Sequence, residues 1–152
     1  MLGLSSFPTA ASMSSDVQWM VIRNNSSFLL KKAGVTFSTE AGNLTGKNSF
    51  KANGLVNKRS VGVKAAADGK GVVVTLRNDK KSFKPTKATR SVTLKKGSRA
   101  ALATVKALTE GQNYRADLTH DALRLTSALF QSQKTRKTAG VKKARSRKVA
   151  KN

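Results

Sequence analysis

Between Asn48 and Asn78 the chain reads NSFKANGLVNKRSVGVKAAADGKGVVVTLRN, and the second half of that stretch leaves little choice of structure. Val61 and Val63 alternate with Gly62 and Lys64, and Val72, Val74 and Leu76 alternate with Val73, Thr75 and Arg77. Alternation over two short arms marks strands that turn one face to a core. Asp68-Gly69-Lys70-Gly71 lies between the arms and offers an Asp-Gly turn, with a second glycine able to take a positive φ at a bulge. A β-hairpin is predicted. The unbroken Val72-Val73-Val74 run suits a strand covered on both faces, which places the second arm inside a sheet.

The rest of the chain reads around that hairpin. Ser14, Ser15 and Asp16 supply N-cap chemistry, and Val17, Met20 and Val21 share a helical face. A short helix is predicted from Asp16 to Arg23. Trp19 admits base stacking or burial; set among aliphatic residues, it is expected in the core. Ser27 to Lys32 and Val35 to Thr39 flank Ala33-Gly34 as two strands about a tight turn, with a helix over Ser26 to Lys32 left open because Leu29 breaks the alternation. Glu40 to Lys47 and Asn78 to Lys87 read as loops, and Ala88 to Leu94 as a further strand. Gly97-Ser98 opens a helix that Gly111 ends, and Asp117 or Thr119 caps a second one carrying Leu118, Ala122, Leu125 and Leu129. A short helix, an antiparallel sheet built on a central hairpin, then two helices make an α+β fold.

Both ends differ from this middle. Residues 1–13 are read as a disordered extension preceding an alternative start at Met13, and residues 14–133 as one α+β domain. The last segment, 134–152, is KTRKTAGVKKARSRKVAKN, with no aromatic and no acid. It buries too little to offset its ordering entropy and is expected to order only on a partner.

Charge says what that partner is. Lys and Arg number 30 against 7 Asp and Glu, a net charge of +23. Such an excess repels itself in the compact state and calls for a polyanion, nucleic acid before an anionic membrane or an acidic protein. No apolar run approaches the roughly 18 residues that span a bilayer. The chain has no cysteine, which excludes disulfides, thiol nucleophiles and Cys-ligated zinc.

Catalytic chemistry finds no footing. The single histidine, His120, sits beside Asp121 on a predicted helix, where adjacent positions do not face each other. The carboxylates Asp16, Glu40, Asp68, Asp79, Glu110, Asp117 and Asp121 are scattered over caps, turns and loops. Gly69-Lys70-Gly71 lacks the spacing of a phosphate loop and joins two strands, whereas a phosphate loop leads into a helix. No enzyme, cofactor, metal or small-molecule substrate is expected.

Polyanion binding does have residues. On the domain the candidate RNA contacts are Lys47, Asn48, Lys51, Asn53, Lys58, Arg59, Lys80, Lys81, Lys84 and Arg90. On the tail they are Lys134, Arg136, Lys137, Lys142, Lys143, Arg145, Arg147 and Lys148. The phenylalanines fall in no pattern for reading bases by stacking, so phosphate and shape recognition of folded RNA is the expected mechanism.

Several of these stretches match a known family. Gln18-Trp19-Met20-Val21-Ile22-Arg23-Asn24, Phe37-Ser38-Thr39-Glu40, Asn53-Gly54-Leu55 and Ala66-Ala67-Asp68-Gly69-Lys70-Gly71-Val72-Val73-Val74 carry the resemblance, with Tyr114-Arg115-Ala116-Asp117-Leu118 further on. In this order they resemble the eukaryote-specific large-subunit ribosomal protein twenty-eight family. The resemblance implies a structural protein of the cytosolic large ribosomal subunit, bound to its ribosomal RNA beside neighbouring large-subunit proteins and passing through the nucleolus during assembly. A nucleolar assembly factor is the alternative, and a DNA-compacting protein a third reading.

Overall fold

The structure, a computed structural model, describes residues 13–79, 84–111 and 113–135. It opens with helix α1 (Ser15–Ile22), capped by Ser14, whose side chain accepts from the Asp16 backbone N–H. Strands β1 (Leu29–Lys32) and β2 (Val35–Ser38) follow as an antiparallel ribbon in which Leu30 faces Phe37. Ala33 and Gly34 both take positive φ, 48° and 75°, as a two-residue hairpin turn of this hand requires. The alternative of a helix over Ser26 to Lys32 is thereby settled in favour of strand.

The predicted central hairpin is β3 (Val61–Ala65) and β4 (Val72–Arg77), paired with Val63 opposite Val74. Strand β5 (Thr89–Leu94) adds to the other edge of β4, so the triple-valine strand is the middle one of three. Among the described residues the strands form two sheets, the β1–β2 ribbon and the β3–β4–β5 sheet. A single helical turn, α2 (Pro85–Ala88), with proline at its first position, leads into β5 from a stretch expected as loop. Helices α3 (Ser98–Glu110) and α4 (Thr119–Ser132) close the fold, with a 3₁₀ turn over Ala116–Leu118 before α4.

The core lies between the three-stranded sheet and the last two helices. Val61, Val72, Val74 and Val105 are wholly buried, with Leu118 and Ala122 packed beside them. Helix α4 crosses β3 and β4, and α3 packs on α4. Along β4 buried and half-buried residues alternate, so only one face is sealed. Its second face is partly covered by the 40–60 loop, whose backbone comes over Gly62. Two strands of that loop touch so closely that a Cβ on Gly54 would lie 2.9 Å from the Gly42 Cα.

Several local expectations are corrected. Trp19 is half-buried, its ring edge on Phe50 at 5.9 Å, and no residue of α1 is buried. Neither Asp117 nor Thr119 caps α4. Asp117 is held by Arg115, and the Thr119 hydroxyl donates to Thr109 Oγ1 at 3.0 Å in the core.

Candidate nucleic-acid interface

The loop from Phe50 to Ser60 has almost no regular structure, so side chains must hold it. Asn53 is buried and does this from within: its Nδ2 donates to Glu40 Oε2, and its Oδ1 accepts from the Leu55 and Val56 amides. Glu40, itself buried, accepts a second bond from Asn43. Asn57 donates to the carbonyls of Phe50 and Asn53. These amides satisfy backbone groups that no strand pairs.

From outside, the segment after α3 clamps the same loop. Arg115, only 15% exposed, donates to the Arg59 carbonyl at 2.9 Å and the Lys51 carbonyl at 2.8 Å, while Asp117 holds the guanidinium from the other side at 2.8 Å. Those hydrogen bonds hold the Asp117 carboxyl below the usual carboxylate range. The Tyr114 hydroxyl donates to the carbonyls of Ser60 and Arg77, and burial of the ring pushes its phenol up. Arg77 reaches back to the carbonyls of Gly54 and Leu55. Tyr114, Arg115 and Arg77 thus fix the loop to the sheet through its own carbonyls.

The clamp concentrates charge. A groove of about 480 Å³ is lined by Lys51, Lys58, Arg59 and Arg115, and a neighbouring one of about 310 Å³ by Arg59, Arg77 and Arg90. Six cations line the two grooves against two carboxylates, Asp79 and Asp117. Arg59 lies over the Tyr114 ring and 3.9 Å from Asp79, an exposed pair that contributes little. Among the described residues Lys51, Lys58 and Arg90 make no salt bridge within 4.0 Å and all three are exposed; Lys51 acts on Asp117 only at longer range.

The structure therefore brings Lys51, Lys58, Arg59 and Arg90 together and separates the other candidates. Lys47 is exposed beside β2, where it bridges Phe37. Asn48 ties the end of α1 to the loop by donating to the Arg23 carbonyl at 2.7 Å. Asn53 is internal, so it shapes the loop. Lys84 is exposed ahead of α2, and Lys134 is exposed just past α4. Lys80, Lys81, Arg136, Lys137, Lys142, Lys143, Arg145, Arg147 and Lys148 lie outside the described residues. Where the basic segment leaves the domain is nevertheless fixed: the Gln133 amide both donates to and accepts from the Gly71 backbone at 2.8 Å.

Arg77 and Arg115 were missed as candidates, because their partners are carbonyls far along the chain. The Arg115-Ala116-Asp117 spacing was the one local signal available. Among the described residues no cluster of His, Asp and Glu is arranged to hold a metal, and no helix is long and apolar enough to cross a membrane.

Comparison with known proteins agrees along most of the chain. It is 40% identical over 139 residues to a large ribosomal subunit protein eL28 of Caenorhabditis elegans, covering 90% of this chain and 98% of that one. It is 35% identical over 131 residues to the protein of the same name in Schizosaccharomyces pombe, covering 84% and 98%. For the Dictyostelium discoideum eL28 the identity is 36% over 141 residues, covering 92% and 100%. The profile of the Ribosomal L28e protein family matches residues 17–132, and the chain belongs to that family.

Proposed function

We propose that this protein is a structural constituent of the cytosolic large ribosomal subunit, holding folded ribosomal RNA through phosphate and shape contacts. The observation that carries the reading is the pair of adjoining grooves in which Lys51, Lys58, Arg59 and Arg90 converge without enough acid to neutralise them. The names of its relatives place those proteins in the large ribosomal subunit. A cation held on a fixed backbone meets phosphate with less ordering cost than one on a mobile loop, which is what the Arg115 clamp provides. The cations at Lys80, Lys81 and along 134–152 extend the contact, the last of these ordering on RNA beyond the anchored Gln133. Neighbouring large-subunit proteins complete the surroundings, and nucleolar transit belongs to the same reading.

Phosphate contacts release counterions, so each one steepens the salt dependence of binding by roughly 0.7–0.9 log units per decade of salt. Replacing Lys51, Lys58 and Arg90 together by Gln lowers the slope for large-subunit ribosomal RNA by about 2–3. All three side chains are exposed, so the melting temperature of the free domain stays near wild type. A slope equal to wild type refutes the placement of the RNA in these grooves.

A further inference from the structure

Phosphate and shape contacts leave one part of the cationic groove without a use. Phe50 lines it together with Lys51, Asn57 and Lys58, and it stays 36% exposed. A lone exposed phenylalanine means little by itself. This one is held in place: its carbonyl accepts from Asn57 Nδ2 at 2.8 Å, and its ring meets Trp19 at 5.9 Å with the planes 60° apart. That edge-type contact steadies the ring without covering it, so a flat partner can stack on it at little ordering cost.

Asn57 adds direction. Its Nδ2 donates to two carbonyls, of Phe50 at 2.8 Å and Asn53 at 2.7 Å, which fixes how the amide is turned. Among the described residues Oδ1 accepts no hydrogen bond and no buried side-chain polar atom lacks a partner, so Oδ1 is open to solvent. The groove therefore presents an apolar ring, a hydrogen-bond acceptor and the ammonium groups of Lys51 and Lys58 together. Asp79 and Asp117 line it too, paired with Arg59 and Arg115.

An unpaired nucleotide has the matching parts: a flat base, an amino donor on its edge, and phosphates on either side of its sugar. A basic protein segment is repelled by the lysines, and a duplex keeps its base faces stacked inside. At about 480 Å³ the groove falls among the roughly 300–1,000 Å³ sites that take small organic ligands, room for one nucleotide. We propose that one unpaired nucleotide of ribosomal RNA inserts here, its base stacked on Phe50, its amino group donating to Asn57 Oδ1 and its phosphates on Lys51 and Lys58. The proposal rests on the placement of RNA in this groove and adds the reading of a single base to contacts that are otherwise blind to sequence.

The test uses the full-length protein with large-subunit ribosomal RNA. Probing base edges with dimethyl sulfate and kethoxal is expected to show one unpaired adenine, cytosine or guanine protected by wild type and by Phe50→Tyr, and re-exposed with Phe50→Leu. Phe50→Leu is expected to bind about tenfold more weakly, the share of one stacked base. Its salt slope stays at wild type, because the ring releases no counterion. Removing the protected base from a synthetic RNA fragment costs wild type the same tenfold and costs Phe50→Leu nothing further. The abasic RNA is read on the unaltered protein, so the test stands whatever Phe50→Leu does to the fold. Absence of such a protected base, wild-type affinity in Phe50→Leu or for the abasic RNA, or losses that add overturns the nucleotide pocket and leaves the RNA groove intact. A wild-type salt slope in the combined Lys51, Lys58 and Arg90 variant overturns both.

Discussion

Arg115→Lys keeps the charge at the clamp and removes its planar fork. In the native protein the guanidinium reaches two loop carbonyls, of Arg59 at 2.9 Å and Lys51 at 2.8 Å, and grips Asp117 at the same time. An ammonium is a point donor and cannot span both carbonyls. One charge-assisted bond to a carbonyl is worth roughly 1.5–3 kcal/mol where it is shielded from water. The half-exposed Asp117 partner adds no more than about 1 kcal/mol. A net loss of about 2–3 kcal/mol follows if the lysine recovers one carbonyl. For a domain of this size that is a fall in melting temperature of about 8–12 °C. Calorimetry on the free full-length protein reads it directly. Asp117→Asn separates the parts: it keeps the two carbonyl bonds and should cost less than about 1 kcal/mol. Binding to ribosomal RNA, measured where the variant is still folded, should weaken severalfold because Lys51 and Arg59 lose their fixed backbone. A melting temperature within about 2 °C of wild type refutes the clamp, and so does an Asp117→Asn effect as large as that of Arg115→Lys.

Further outcomes follow from the same geometry. Val74 is wholly buried on the middle strand, so Val74→Ala should cost about 2–3 kcal/mol in urea unfolding through lost methyl contacts and a cavity. Gly71 has φ +94° and lies against the Leu94 carbonyl, so Gly71→Ala strains the backbone and clashes with β5. It should cost at least about 2 kcal/mol and loosen Gln133 as well, seen as faster amide exchange at the end of α4. Asp117 titrates below its ordinary value of 3.8, because the bonds from Arg115 favour its charged form. The stability it lends is therefore complete above about pH 5 and is lost as pH falls through the lower, folded value. A carboxyl NMR titration should show the depressed midpoint in wild type and its return towards the ordinary value in Arg115→Lys.

What the sequence disclosed was whatever short-range pattern governs. The β3–β4 hairpin was legible because alternation and Asp68-Gly69-Lys70-Gly71 agree, whereas the β1–β2 ribbon was only half legible: Ala33-Gly34 suited a tight turn, but Leu29 breaks the alternation and left a helix over Ser26 to Lys32 open. The closing helices showed in their apolar spacing. The placement of Trp19 did not follow from its neighbours, since its aliphatic surroundings in sequence face solvent in space. Asp117 and Thr119 have good capping chemistry, yet Arg115 and Thr109 compete for them and win. The interface was half legible: exposed cations are visible in composition, but which of them converge depends on carbonyl contacts made by Arg77, Tyr114 and Arg115 across distant segments. Asn53 illustrates the same limit, since a polar loop residue suited to RNA proves to be internal to the loop.

Whether the protein belongs to working large subunits is read by sucrose-gradient fractionation of cell lysate with quantitative mass spectrometry across the fractions. A structural constituent is expected in equimolar amounts in free large subunits, whole ribosomes and polysomes, retained through a moderate salt wash. Confinement to precursor particles would contradict it and assign the protein to assembly.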